Sequence, residues 1–159
     1  MYRHAFYRKG KVAVEFRADK KGVILRFAPA QDDRRFNWSQ AVVFSLNVDE
    51  CGELLWAMEG GREFRAYHVP PKGGNENAKV LSFRPARNEK EGNALTLLFP
   101  NKKPSPNFFI SLSPGEVRAL QVFLQESMKL MFEDDRSRRF RREGGSAAGN
   151  PSDIDENPF

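Results

Sequence analysis

The chain has 159 residues, and its 26 Lys and Arg against 21 Asp and Glu give a net charge of +5. That is one domain's length with room for a real core, and a mild bias toward polyanionic partners. The single cysteine, Cys51, excludes an intrachain disulfide and a cysteine-based zinc site and fits a reducing compartment, while no apolar run approaches the ~20 residues of a membrane span.

The basic start, Met1 to Lys11, lacks the apolar segment of a signal peptide. From Lys11 to Arg17, Val12, Val14 and Phe16 alternate with charged residues, which predicts a strand with one buried face. The polar Ala18-Asp19-Lys20-Lys21-Gly22 turn leads to a second strand, Val23 to Ala28, completing a hairpin. Arg34 to Met58 then changes period once: Phe36, Trp38, Val42, Phe44 and Leu46 predict a long aromatic strand, whereas Val48, Cys51, Leu55 and Met58 recur at helical spacing. Asn47 with Glu50 three residues later caps that helix, and Gly60-Gly61 ends it.

A second set of strands follows, over Glu63 to Val69, Ala78 to Arg84, Ala94 to Phe99 and Asn107 to Leu112, separated by proline-rich or polar loops. Ser113, Pro114 and Glu116 announce the clearest helix, with Val117, Leu120, Leu124, Met128 and Met131 on one stripe and Phe123 and Leu130 widening it. So wide an apolar face has two surfaces to satisfy, which predicts a homo-oligomer joined through this helix. Strands, short helix, strands, long helix make an α+β chain with a weak twofold repeat.

Past Phe132 the composition changes to a basic run, Arg136 to Arg142, then a Gly- and Ser-rich linker, then the acidic Asp153-Ile154-Asp155-Glu156-Asn157-Pro158-Phe159. The expected division is a domain over 1–134, a linker over 135–152 and a partner-binding tip over 153–159, the tail being disordered. The tip offers an aromatic ring beside negative charge, suited to a small pocket rimmed by Arg or Lys. It resembles the C-terminal tip of bacterial single-stranded-DNA-binding proteins, which implies that Asp153, Ile154, Asp155, Glu156, Pro158 and Phe159 recruit DNA-processing proteins.

Enzyme chemistry has no constellation to work with. His4 and His68 are far apart, neither a phosphate-binding Gly-Lys-Ser/Thr loop nor a dinucleotide fingerprint occurs, and no metal or other cofactor is expected. His68 reads as a strand residue facing solvent or a neighbour. What recurs is a cation beside an aromatic on a strand: Phe16-Arg17, Arg26-Phe27, Arg35-Phe36, Phe64-Arg65 and Phe83-Arg84. Cations for phosphates and rings for bases are the usual means of holding single strands. Strand neighbours point to opposite faces, so each ring can equally be core while its cation is exposed.

Specific words then match a family. Lys9-Gly10-Lys11-Val12-Ala13-Val14 resembles the KGKAAL motif of the plant Whirly proteins, and Leu25-Arg26-Phe27-Ala28-Pro29 their LQFAP strand. Arg35-Phe36-Asn37-Trp38-Ser39 and Val43-Phe44-Ser45-Leu46-Asn47-Val48 parallel RQYDWS and VFSLSV; Glu63-Phe64 with His68 and Pro70 parallels EFFHDP, and Ala78-Lys79-Val80-Leu81 the KVLK strand. The resemblance implies two antiparallel sheets packed like blades, each followed by a helix, assembled as a tetramer that binds single-stranded DNA with little sequence preference. It implies that Lys9 and Lys11 serve DNA binding or assembly.

The expected nucleic-acid-binding set is Lys9, Lys11, Phe16, Arg17, Arg26, Phe27, Arg35, Phe36, Trp38, Phe64, Arg65, Tyr67, Lys79 and Arg84. Related folds, the positive-cofactor coactivators and trypanosome RNA-matchmaking proteins, keep an RNA-binding or transcription-cofactor reading open. The acidic tip, foreign to the plant family, leads to the expectation of a cytoplasmic protein of bacterial or phage type.

Overall fold

A computed structural model of the chain describes residues 2–147. β1 (Tyr2–Arg8), β2 (Val12–Ala18), β3 (Val23–Pro29) and β4 (Val42–Leu46) form one antiparallel sheet in sequence order, followed by α1 (Val48–Gly60). β5 (Phe64–His68), β6 (Lys79–Arg84), β7 (Asn93–Leu98) and β8 (Phe108–Leu112) form the second, followed by α2 (Pro114–Ala147). The α+β order and the twofold repeat are as the sequence pattern predicts, the two blade-like sheets are as the family resemblance implies, and each of β6, β7 and β8 lies within one residue of its predicted bounds.

Alternation decides which residues enter the core. Val14, Phe16, Leu25, Phe27, Phe44 and Leu46 are buried on the inner face of the first sheet, and Phe83, Leu95, Leu97 and Ile110 on that of the second. The Phe27 and Phe108 rings meet across the sheets at 5.8 Å, and Phe16 meets Phe123 of α2 at 6.1 Å. Cys51 is buried on the inner face of α1, and desolvation pushes its thiol up to about 12, so it is packing material and not a nucleophile.

Both helices begin with the same reciprocal cap. Asn47 Oδ1 accepts from the Glu50 amide at 2.9 Å while the Asn47 amide donates to Glu50 Oε1 at 3.1 Å. Ser113 and Glu116 repeat this at 3.2 and 3.0 Å, and Glu116 also binds Arg8 of β1 at 2.6 Å, which fixes α2 against the first sheet. Gly61, left-handed at φ 60°, closes α1.

The structure departs from expectation in three places. The basic start, to which the sequence pattern assigns no strand, forms β1 and pairs along its whole length with β2. The strand expected from Phe36 begins only at Val42: Phe36 makes one bridge to Ala30, and Trp38–Gln40 form a 3-10 turn. Gln40 breaks the alternation, and Ser39 Oγ donates to Asn37 Oδ1 at 2.6 Å, a local bond that competes with a strand ladder. The linker expected from residue 135 is helical through Ala147, because Arg and Glu are good helix formers and Asp134 pairs with Arg138 one turn on, at 2.9 Å. The remainder of that linker and the tip, Asp153 to Phe159, lie outside the described residues.

Candidate nucleic-acid interface

Strands β4 and β5 are edge strands of their sheets, and the β2–β3 turn closes one end of the space beside them. The result is a cleft of about 810 Å³ whose walls include Lys21, Val43, Phe44, Tyr67, His68 and Lys79. Lys79 Nζ donates to the Val43 carbonyl at 2.8 Å, pinning an ammonium across the two sheets. Burial, and then the charge of Lys102, lower the Lys79 pKa, so a phosphate arriving there would relieve an unfavourable site for the cation. His68 stacks on Phe44 at 4.3 Å and meets Glu50 at 2.6 Å, which makes it a residue turned to its neighbours.

Antiparallel partners share a face, so register gives the composition of the outer surfaces. On the first sheet, Val43, Arg26, Glu15 and Ala5 form one row and Ser45, Ile24, Arg17 and Arg3 the next. Glu15, nearly buried, meets Arg3 at 3.5 Å and Arg17 and Arg26 at 3.3 Å each. One carboxylate thus gathers three guanidiniums and leaves a surplus of positive charge. Arg26 in turn lies over the Trp38 ring at 5.1 Å, and Tyr7 and Phe36 pack at 5.7 Å further along.

Glu15→Gln should lower stability by about 1–2 kcal/mol, because the three partly exposed arginines then repel one another without a shared counter-charge. Urea denaturation reads this out, and an unchanged midpoint would mean that the arginines are held independently of Glu15.

On the second sheet, Arg65, Ser82, Thr96 and Phe109 form a row across the outer face, with Tyr67 on one side and Arg84 on the other. A shallow depression of about 400 Å³ lies between Arg65, Arg84 and Phe109. Tyr67 is 54% exposed and Phe109 55%, unusual exposure for rings on strands.

The structure sorts the expected residues into groups. Phe16 and Phe27 are completely buried and Phe64 nearly so; their faces are committed to the core, and they leave the candidate set. Their partners Arg17, Arg26 and Arg65, together with Arg84, lie on outer faces. Tyr67 and Lys79 line the cleft; Trp38 and Phe36 cover the outer face of the first sheet, half-buried. Lys9 and Lys11 are exposed at the tip of the β1–β2 turn, where Gly10 has φ 68° and the Lys11 amide donates to the Arg8 carbonyl at 3.0 Å. Arg35 is held by Asp32 at 2.8 Å in the neighbouring loop.

Three residues escaped the sequence reading: Lys21, Tyr7 and Phe109. Phe108-Phe109 was the available signal, since of two adjacent rings on a strand one must face outward. Among the described residues no group of three or more His, Cys, Asp or Glu is placed to hold a metal ion, and no helix is long and apolar enough to cross a membrane.

On the helical side, Trp56 and Phe132 are each 59% exposed and, with Val48, Gly52 and Met128, line a groove between α1 and α2. Asp49 and Glu53 of α1 line the same groove, so its exposed rings are bordered by negative charge.

Comparison with known proteins adds identity to this geometry. Residues 4–123 match the family described as Whirly transcription factor. Single-stranded DNA-binding protein WHY1, chloroplastic, from Solanum tuberosum is 31% identical over 111 residues, 66% of this chain and 40% of that protein. The crystal structure of WHY3 from Arabidopsis thaliana superposes with a TM-score of 0.70 at 25% identity, covering 83% of this chain and 89% of that one. The structure of the plant transcriptional regulator PBF-2 gives a TM-score of 0.72 at 23% identity, over 86% and 93% of the two chains.

The chain spans less than half the length of the curated relatives it matches. Those relatives, from Solanum tuberosum, Zea mays and Arabidopsis thaliana, are named as chloroplastic. That overturns the expectation of a bacterial or phage cytoplasmic protein, which rested on the acidic tip alone. With residues 4–123, three-quarters of its length, matched by the family and more than four-fifths of it superposing on plant structures, the chain belongs to the Whirly family.

Proposed function

We propose that residues 1–134 bind single-stranded DNA with little sequence preference, through the cleft and the outer sheet faces that flank it. The observation that carries this reading is the cleft itself, where fixed or exposed cations (Lys21, Lys79) and an exposed ring (Tyr67) share one channel. That channel opens, through Val43, onto the row that bears Arg26 and its Trp38 partner. Cations hold phosphates and rings take bases by their faces, which every base possesses, so the site binds strands without reading sequence. The names of the matched relatives support the same ligand, and the family description supports a role in transcription exercised through it.

Titration of labelled oligothymidylate against duplex of equal length tests the reading. Single strands should bind far more tightly, with log K falling by about 0.7 per neutralised phosphate as log salt rises. Equal affinity for duplex, or no binding at low salt, would overturn it, and an RNA competitor of equal length that wins would move the ligand to RNA.

The groove between α1 and α2, with Trp56 and Phe132 on its rim, supports a homo-oligomer, and the family resemblance implies a tetramer. A monomer by light scattering at micromolar concentration would remove that part. Recruitment of DNA-processing proteins by Asp153 to Phe159 is supported by the sequence pattern; deleting those residues should abolish pulldown of such partners and leave DNA affinity equal or higher.

A further inference from the structure

Among the described residues the last buried one in α2 is Met131, yet the helix runs on to Ala147. These 16 added residues span about 24 Å at 1.5 Å per residue. Within them Arg136, Arg138, Arg139, Arg141 and Arg142 are exposed, and the segment from Arg136 to Arg142 contains no acidic residue. A helix that is merely solvated mixes the two signs of charge; between Glu133, Asp134 and Asp135 on one side and Glu143 on the other, this stretch of seven residues concentrates a single sign. Phe132 and Phe140, 59% and 70% exposed, lie one turn to either side of Arg136 on the same face, so rings and cations alternate along it.

The root of this segment adjoins the cleft. Asp134 pairs with Arg138 at 2.9 Å and with Lys20 of the β2–β3 turn at 3.5 Å. The neighbours of Lys20 in that turn, Asp19, Lys21 and Gly22, line the cleft. A strand leaving the cleft past Lys21 therefore meets the start of the arginine helix.

We propose that Arg136 to Arg142 form a phosphate-binding arm that takes up nucleic acid where it leaves the cleft, lengthening the site beyond the sheets. The proposal rests on the cleft being the single-strand site. An anionic membrane would also attract such a helix, but the tie to the cleft rim through Lys20 and Asp134 favours the backbone of the same strand.

The test uses the full chain and two variants, all five arginines changed to Gln or all five to Lys, with helicity checked by circular dichroism. Labelled oligothymidylates of about 8 and about 30 nucleotides bracket a site confined to the cleft and one that includes the arm. The Gln variant should bind the short oligomer as the parent does. On the long one it should lose about 10-fold or more in affinity, with a salt slope smaller by about 2, as expected for about three lost phosphate contacts. The Lys variant should restore most of the loss.

Unchanged long-oligomer affinity and slope in the Gln variant would overturn the arm while leaving the cleft reading intact. Equal loss on both lengths would reduce the arm to a diffuse field and overturn its contact role. Arm-dependent binding to anionic vesicles with no length effect on DNA would make the partner a membrane. Failure of the parent to bind either oligomer would remove the cleft reading and the arm with it.

Discussion

Trp38→Ala should weaken single-strand binding by about 5- to 150-fold, the equivalent of one lost base stack at about 1–3 kcal/mol. The ring is half-buried on the outer face of the first sheet, in a 3-10 turn that contains no buried residue, with the Arg26 guanidinium at 5.1 Å. Removing it deletes a platform and frees Arg26, without opening a cavity between the sheets. The thermal midpoint should therefore fall little, by the equivalent of less than about 2 kcal/mol, and Trp38→Phe should recover most of the affinity. Fluorescence titration beside thermal melts separates the outcomes: unfolding that parallels the loss of binding would place Trp38 in the core, and unaltered affinity would remove it from the site.

The same face shows what was legible in the sequence and what was not. The β2–β3 hairpin, both helix caps and the α+β order were legible because each depends on local rules: period-two alternation, an Asn or Ser three residues before Glu, glycine after a helix. The aromatic-cation pairs were legible as pairs and not as sites. In Phe16-Arg17, Arg26-Phe27 and Phe64-Arg65 the pleat sends the ring inward and the cation outward, and only the completed core says which face is which. The cleft was not legible at all, since Lys21, Tyr67 and Lys79 come from three elements that no local pattern joins. The arginine helix was hidden for the opposite reason: a charge run beside a glycine-rich stretch reads as linker until the Asp134–Arg138 pair and the preceding helix are seen to carry it on.

Phe27→Ala, by contrast, should cost about 3–5 kcal/mol of stability, a large share of the ~5–15 kcal/mol that a domain commonly has. Phe27 is completely buried on the inner face of β3 and its ring meets Phe108 at 5.8 Å, so it stands where the two sheets touch. Truncation leaves a cavity at that junction, lined by large rigid side chains that cannot close it. Its neighbour Arg26 keeps its place on the outer face because backbone pairing to Glu15 and Val43 is unchanged. Folded molecules of the variant should therefore bind single strands as the parent does, while urea unfolds them at a much lower concentration. Measuring both at a temperature where the variant is still folded decides the matter: affinity lost with stability preserved would make Phe27 a contact residue and would undo the division of this sheet into a core face and a binding face.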